Sequence, residues 1–182
     1  MRLIGIIVSA LLLASAARAE APAPEQAMRA FYSWVLAHPS RGLPSSKERA
    51  LLSSFLSPQL VQLLKEAADT QARCVKASPK GEKPNVIEGD LFVGNYEGAT
   101  EVAYGNPKRE GEIVVVEARL FYLDPRFPKA HRHRAIAWTD RLQLQLAGNR
   151  WLVQDVQFQQ DRSLAAGLRQ YIAEGVRSCV VP

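Results

Sequence analysis

The sequence predicts an α+β domain: N-terminal helices packed on a curved antiparallel sheet, with one more helix at the C-terminus. Three observations predict it. Apolar residues recur at helical spacing as far as about residue 77, strand-like texture takes over from Val86, and helical spacing returns after Ser163. Elements segregated in this order pack as helices on one face of an antiparallel sheet.

The chain begins with a segment that does not belong to that domain. Met1-Arg2 is a short positive start, and Leu3 to Ala14 is apolar apart from Gly5 and Ser9. Ala17-Arg18-Ala19 then places small residues at −3 and −1 of a cleavage site, which is the layout of a secretory signal peptide over 1–19. The apolar run is too short to span a bilayer, which needs roughly 20 residues. The expected domain is 20–182. Within it, Met28, Phe31, Tyr32, Val35 and Leu36 mark an amphipathic helix over 25–37, stopped by His38-Pro39. Ser45 and Glu48 form a capping box that opens a second helix. Ser57-Pro58, an N-cap with Pro at the first helical position, opens a third with Leu60, Leu63, Leu64, Ala67 and Ala68 inward.

A solvated Ser-Pro-Lys-Gly-Glu-Lys-Pro loop precedes the strands. Glu112 to Leu123 places Val114, Val116, Ala118, Leu120 and Tyr122 on one face. In Arg134 to Ala147, Ile136, Trp138, Leu142, Leu144 and Leu146 share one parity, while Arg141, Gln143 and Gln145 share the other. Gly148-Asn149 turns the chain into a last strand over 150–158. Asp161-Arg162-Ser163 caps a final helix with Leu164, Leu168, Tyr171 and Ile172, expected to end near Gly175.

Composition narrows the function classes. With 47% hydrophobic and 23% charged residues, the chain is neither disordered, collagenous nor a polytopic membrane protein. The net charge of +5 falls to +3 when Arg2 and Arg18 leave with the first 19 of 182 residues. That balance, on an exported protein, argues against a nucleic-acid partner. Two cysteines, Cys74 and Cys179, suggest one disulfide in an oxidising compartment.

A family resemblance is carried by Phe31-Tyr32-Ser33-Trp34, by Asp90-Leu91-Phe92 with Tyr96-Glu97-Gly98-Ala99-Thr100 and Val102-Ala103-Tyr104-Gly105, by Gly148 to Val156, and by Ser163-Leu164. Together these resemble an exported family of cystatin-like or NTF2-like domains, related to the immunity proteins that block type VI secretion amidase effectors in the periplasm. The resemblance spans about 27–172. It implies the cystatin/NTF2-like fold, periplasmic export and an immunity-type role. Its Phe-Tyr-x-Trp and Gly-x-x-Trp-x-Val-x-Asp-Val elements are packing signals rather than catalytic ones. The long basic stretch from Asp124 to Arg134 departs from the family's pattern.

Two constellations remain as candidate sites. Asp90, Tyr96 and Glu97, with Arg126, Lys129, Arg132 and Arg134, could form a surface that grips a protein partner in the envelope. His131 and His133 alternate with arginine, whose charge repels a cation, so no metal is expected. Asp140 shares the inward parity of Trp138, so a cone-shaped pocket with Tyr122 and Trp138 as walls is the alternative. A bulge at Thr139-Asp140 that turns the carboxylate outward, or an arginine partner, would remove that alternative. No nucleophile triad, nucleotide loop or zinc motif stands out, and no cofactor is expected. The expected activity is therefore non-enzymatic binding in the periplasm, with a small-ligand or isomerase-like pocket as alternative and a homodimer left open.

Overall fold

A computed structural model describes residues 23–39, 41–131, 134–177 and 179. The expected signal peptide, Arg132 and His133 lie outside the described residues. The first helix, α1 (Pro24–Ala37), turns Met28, Phe31, Tyr32 and Val35 into the core. It stops at His38, whose N–H donates to the Trp34 and Val35 carbonyls and whose ring stacks on Trp34 at 4.7 Å. The second helix, α2 (Ser46–Leu52), carries both halves of the capping box between Ser45 and Glu48. In α3 (Pro58–Ala77), the Ser57 hydroxyl accepts the Leu60 N–H at 3.2 Å. Its buried stripe runs through Leu60, Leu64 and Ala67 to Thr70 and Cys74, about two turns beyond Ala67.

The strand-like reading at Val86 is corrected. Residues 86–100 form no strand, because Gly89 and Gly98 take φ of +77° and +87° and fold the segment on itself. Its apolar residues plug the core instead. Phe92 and Val93 are buried, and the Phe92 ring meets Phe31 and Trp34 edge-on at 5.9 and 6.3 Å. The Phe-Tyr-x-Trp element of α1 is thus the clamp for this segment.

The sheet has five antiparallel strands: β1 (Glu101–Tyr104), β2 (Lys108–Glu110), β3 (Ile113–Leu123), β4 (Ala135–Ala147) and β5 (Arg150–Gln157). β1 and β2 take successive lengths of the same β3 edge. β3 and β4 pair without a break from Ile113↔Gln145 to Leu123↔Ala135. Between β4 and β5 the register shifts at Gln143/Leu144, leaving Gln154 as the extra residue of a bulge. The β4–β5 hairpin closes on Gly148, whose φ of +62° suits the first central position of a II′ turn. The far edge of β5 is covered where Val153 exchanges hydrogen bonds with Phe55 and Ser57, both 2.8 Å. That stitch ties the α2–α3 connection to the sheet and blunts an edge that could otherwise pair with another chain.

The last helix, α4 (Leu164–Arg177), starts where both Ser163 and Asp155 accept its first N–H groups, at 3.1 and 2.9 Å. It ends at Arg177, two residues past Gly175. A Cβ there would collide with the Thr70 methyl, so this glycine marks where α4 crosses α3 too closely for a side chain. Cys74 and Cys179 are disulfide-bonded beside that crossing, with Cα atoms 4.6 Å apart and 105 positions of chain between them. Among the described residues, no helix is long and apolar enough to cross a membrane.

Candidate functional site

The site builds outward from Asp140. In β4 it faces Ala118 of β3 and shares the inward face with Trp138 and Leu142. The unbroken β3–β4 register keeps the parity that turns it inward. No bulge interrupts Thr139-Asp140, and the observed bulge lies further along, towards β5. Asp140 is 0% exposed. Its Oδ2 accepts the Gly94 N–H at 2.8 Å and the Trp138 indole N–H at 3.1 Å, so its partners are not arginines. Burial raises its pKa to about 6, offset in part by those two hydrogen bonds and by the distant charge of Arg162.

Around this carboxylate the interior is closed to solvent. Among the described residues Oδ1 has no donor, and a Cβ added to Gly94 would come within 2.6 Å of it. The Tyr32 hydroxyl of α1 is likewise buried with no partner. Its pKa is pushed well up by burial, and further by the charges of Asp140, Tyr104 and Asp90. Tyr122 stands four β3 residues from Ala118, opposite Ile136, and is half-buried. The phenol that shares the interior with Asp140 is therefore Tyr32, which sequence reasoning placed only as a core residue of a helical stripe.

The surface candidates divide in two. Asp90 closes the 90–96 turn: its Oδ1 accepts the Phe92 N–H at 2.9 Å and its own N–H donates to the Tyr96 carbonyl at 3.0 Å. Tyr96, 64% exposed, packs its ring over Gly89. With Glu97, Pro39, Arg41 and Glu88 they line a cleft of about 320 Å³.

In the second loop, the buried Asp124 accepts from the Arg126 backbone at 2.9 Å and from both ends of its guanidinium, at 2.9–3.0 Å through Nε and 2.5 Å through Nη2. The Arg126 partner holds the Asp124 carboxyl below the usual carboxylate range. Arg126 is in turn held charged, first by Asp124, with smaller contributions from Tyr122 and Glu97. Through Glu97, the 88–98 segment and the 124–134 loop are electrostatic neighbours. Arg134 donates to the Phe127 carbonyl at 2.7 Å, and the Phe127 ring stacks on His131 at 4.5 Å. Lys129 is exposed. Sequence reasoning counted the arginines as one basic cluster and did not use Asp124, the acidic residue that opens the loop and neutralises part of it.

Among the described residues, no group of three His, Cys, Asp or Glu side chains is placed to hold a metal ion. No family model, curated protein or solved structure matches the chain. The arrangement offers a closed polar interior and, at one end of the sheet, a surface with an exposed phenol, a cleft and charges of both signs.

Proposed function

We propose that this is an exported, periplasmic, non-enzymatic protein that binds a protein partner through Tyr96, Glu97 and the 124–134 loop. The observation that supports this reading is the enclosure of Asp140. A general base must touch its substrate, and this carboxylate, 0% exposed beneath Gly94, has no surface to offer one. The exposed groups lie on the two loops instead. Tyr96 is the kind of rigid amphipathic side chain that anchors interfaces, and Arg126 is held in position by Asp124.

The narrower version is an immunity-type inhibitor of a cell-wall amidase effector, which rests on the resemblance of the α1, 90–105 and β5 motifs to that group. Its test is peptidoglycan cleavage by a panel of purified type VI amidase effectors, with and without the mature protein at equal molarity. Stoichiometric loss of cleavage with one effector, relieved by Tyr96→Ser with Lys129→Glu, is the expected result. Full cleavage by every effector removes the inhibitor version. Turnover of a small carbonyl substrate that disappears in Asp140→Asn would instead establish the pocket alternative.

A further inference from the structure

Asp140 poses a problem that the fold does not solve with a cation. A carboxylate shut away from water, with one oxygen lacking any donor, must either keep a proton or find a way to solvent. Half-buried Gly94 stands over this carboxylate: its N–H donates to Oδ2, and a Cβ added to it would come within 2.6 Å of Oδ1. On either side of Gly94 the anchoring differs. Phe92 and Val93 are buried against α1 and the sheet, whereas Tyr96 and Glu97 are exposed and carry no core contact of that kind.

The groups facing Asp140 do not relieve it. From α1 comes the neutral Tyr32 hydroxyl, itself unpartnered. Asp90 of the neighbouring segment and Tyr104 of β1, the latter with the Arg29 guanidinium 4.6 Å above its ring, act on that Tyr32 hydroxyl and bring no cation to Asp140. The turn before α4 supplies Arg162, which acts on Asp140 only as a minor electrostatic influence. Opposite on β3 stands Ala118, which has no charge.

We propose that Asp140 is a proton-operated latch for the 94–98 turn: protonated, it holds the turn against the sheet, and ionised, it favours release. The proton belongs on Oδ1, since Oδ2 already accepts two hydrogen bonds. It makes Oδ1 a donor in an interior whose unpartnered hydroxyl is that of Tyr32. Ionisation leaves a buried charge that hydration would stabilise, and lifting Gly94 admits water while Phe92 and Val93 stay in the core. The raised pKa, about 6, puts the switch at mild acidity. This inference stands on the interior geometry alone. A partner that grips Tyr96 would feel the latch, but the latch does not depend on one.

Hydrogen exchange of the full mature protein tests it, with rates corrected for the intrinsic pH dependence of amide exchange. If the open turn returns Asp140 to its ordinary pKa, the opening constant at the Gly94 amide rises about 50-fold from pH 4 to pH 7. At every pH the opening at Gly94 is more frequent than that at the core amides of Val116 and Leu144, and in Asp140→Asn the Gly94 amide no longer responds to pH. The Trp138 indole N–H resonance of the unaltered protein gives a reading independent of any variant, shifting with a midpoint near pH 6. Gly94 protection that does not change with pH overturns the latch, as does an indole resonance that does not titrate. A single opening constant shared by Gly94 and those core amides at every pH overturns it too, because the opening is then that of the whole fold.

Discussion

At the scale of single residues, the decisive side chain is Asp140. Its proton is bound more tightly in the folded protein than in the unfolded chain, because burial raises its pKa from an ordinary carboxylate value to about 6. The sign follows: its contribution to stability is full below about pH 4 and is lost as pH rises through 6. A rise of that size corresponds to about 3 kcal/mol. Asp140→Asn keeps an acceptor for Gly94 and Trp138 and places an amide donor where the orphaned oxygen was. It is expected to raise unfolding free energy by about 2–3 kcal/mol at pH 7.5, with little gain at pH 4, measured by urea denaturation at both pH values. A variant less stable than the parent at pH 7.5 would sink this account of the interior. The inward direction of Asp140 was legible from the alternation of β4. Its donors were not, since Gly94 lies 46 positions away in a segment whose apolar residues imitate a strand.

At the scale of elements, the two glycines of α4 separate propensity from packing. Gly167 has nothing within 4 Å of a built Cβ, whereas at Gly175 that atom would strike Thr70. Gly167→Ala should stabilise by about 0.5–1 kcal/mol through helix propensity. Gly175→Ala should destabilise by about 1–3 kcal/mol by forcing the α3–α4 crossing apart. Thermal unfolding of the two single variants checks both signs, and a stabilising Gly175→Ala would contradict the close crossing. The caps at Ser45 and Ser57 could be read in the sequence because capping is local: hydroxyl and amide lie three residues apart. The close α3–α4 crossing at Gly175 was not legible, because a glycine that terminates a helix and one that admits a neighbouring helix look alike until the neighbour is placed. Pairing of Val153 with Phe55 and Ser57 left no local trace either, as backbone hydrogen bonds carry no side-chain signature.

At the scale of the whole molecule, the Cys74–Cys179 disulfide ties the tail beyond α4 to α3 across 105 positions of chain. A loop of that length is worth about 4–5 kcal/mol through the entropy of the unfolded state. Cys74→Ser with Cys179→Ser is expected to lower the unfolding free energy by about that amount, and the parent under reducing conditions should match it. An unchanged denaturation midpoint would show that the bond is not stabilising. The pairing was legible because two cysteines with none left over have one partner each. The use of the surface was less so: charge density marked the 124–134 loop, but Asp124 neutralises Arg126 within it, and the nearness of Glu97 depends on the folded sheet. We propose that this protein works by holding a partner on that surface, which affinity capture from an envelope extract followed by quantitative titration would test. A saturable one-to-one complex is expected, which Tyr96→Ser with Lys129→Glu weakens at least tenfold while Asp140→Asn retains binding. A complex untouched by the surface substitutions, or no complex together with an Asp140-dependent turnover of a small molecule, would contradict it.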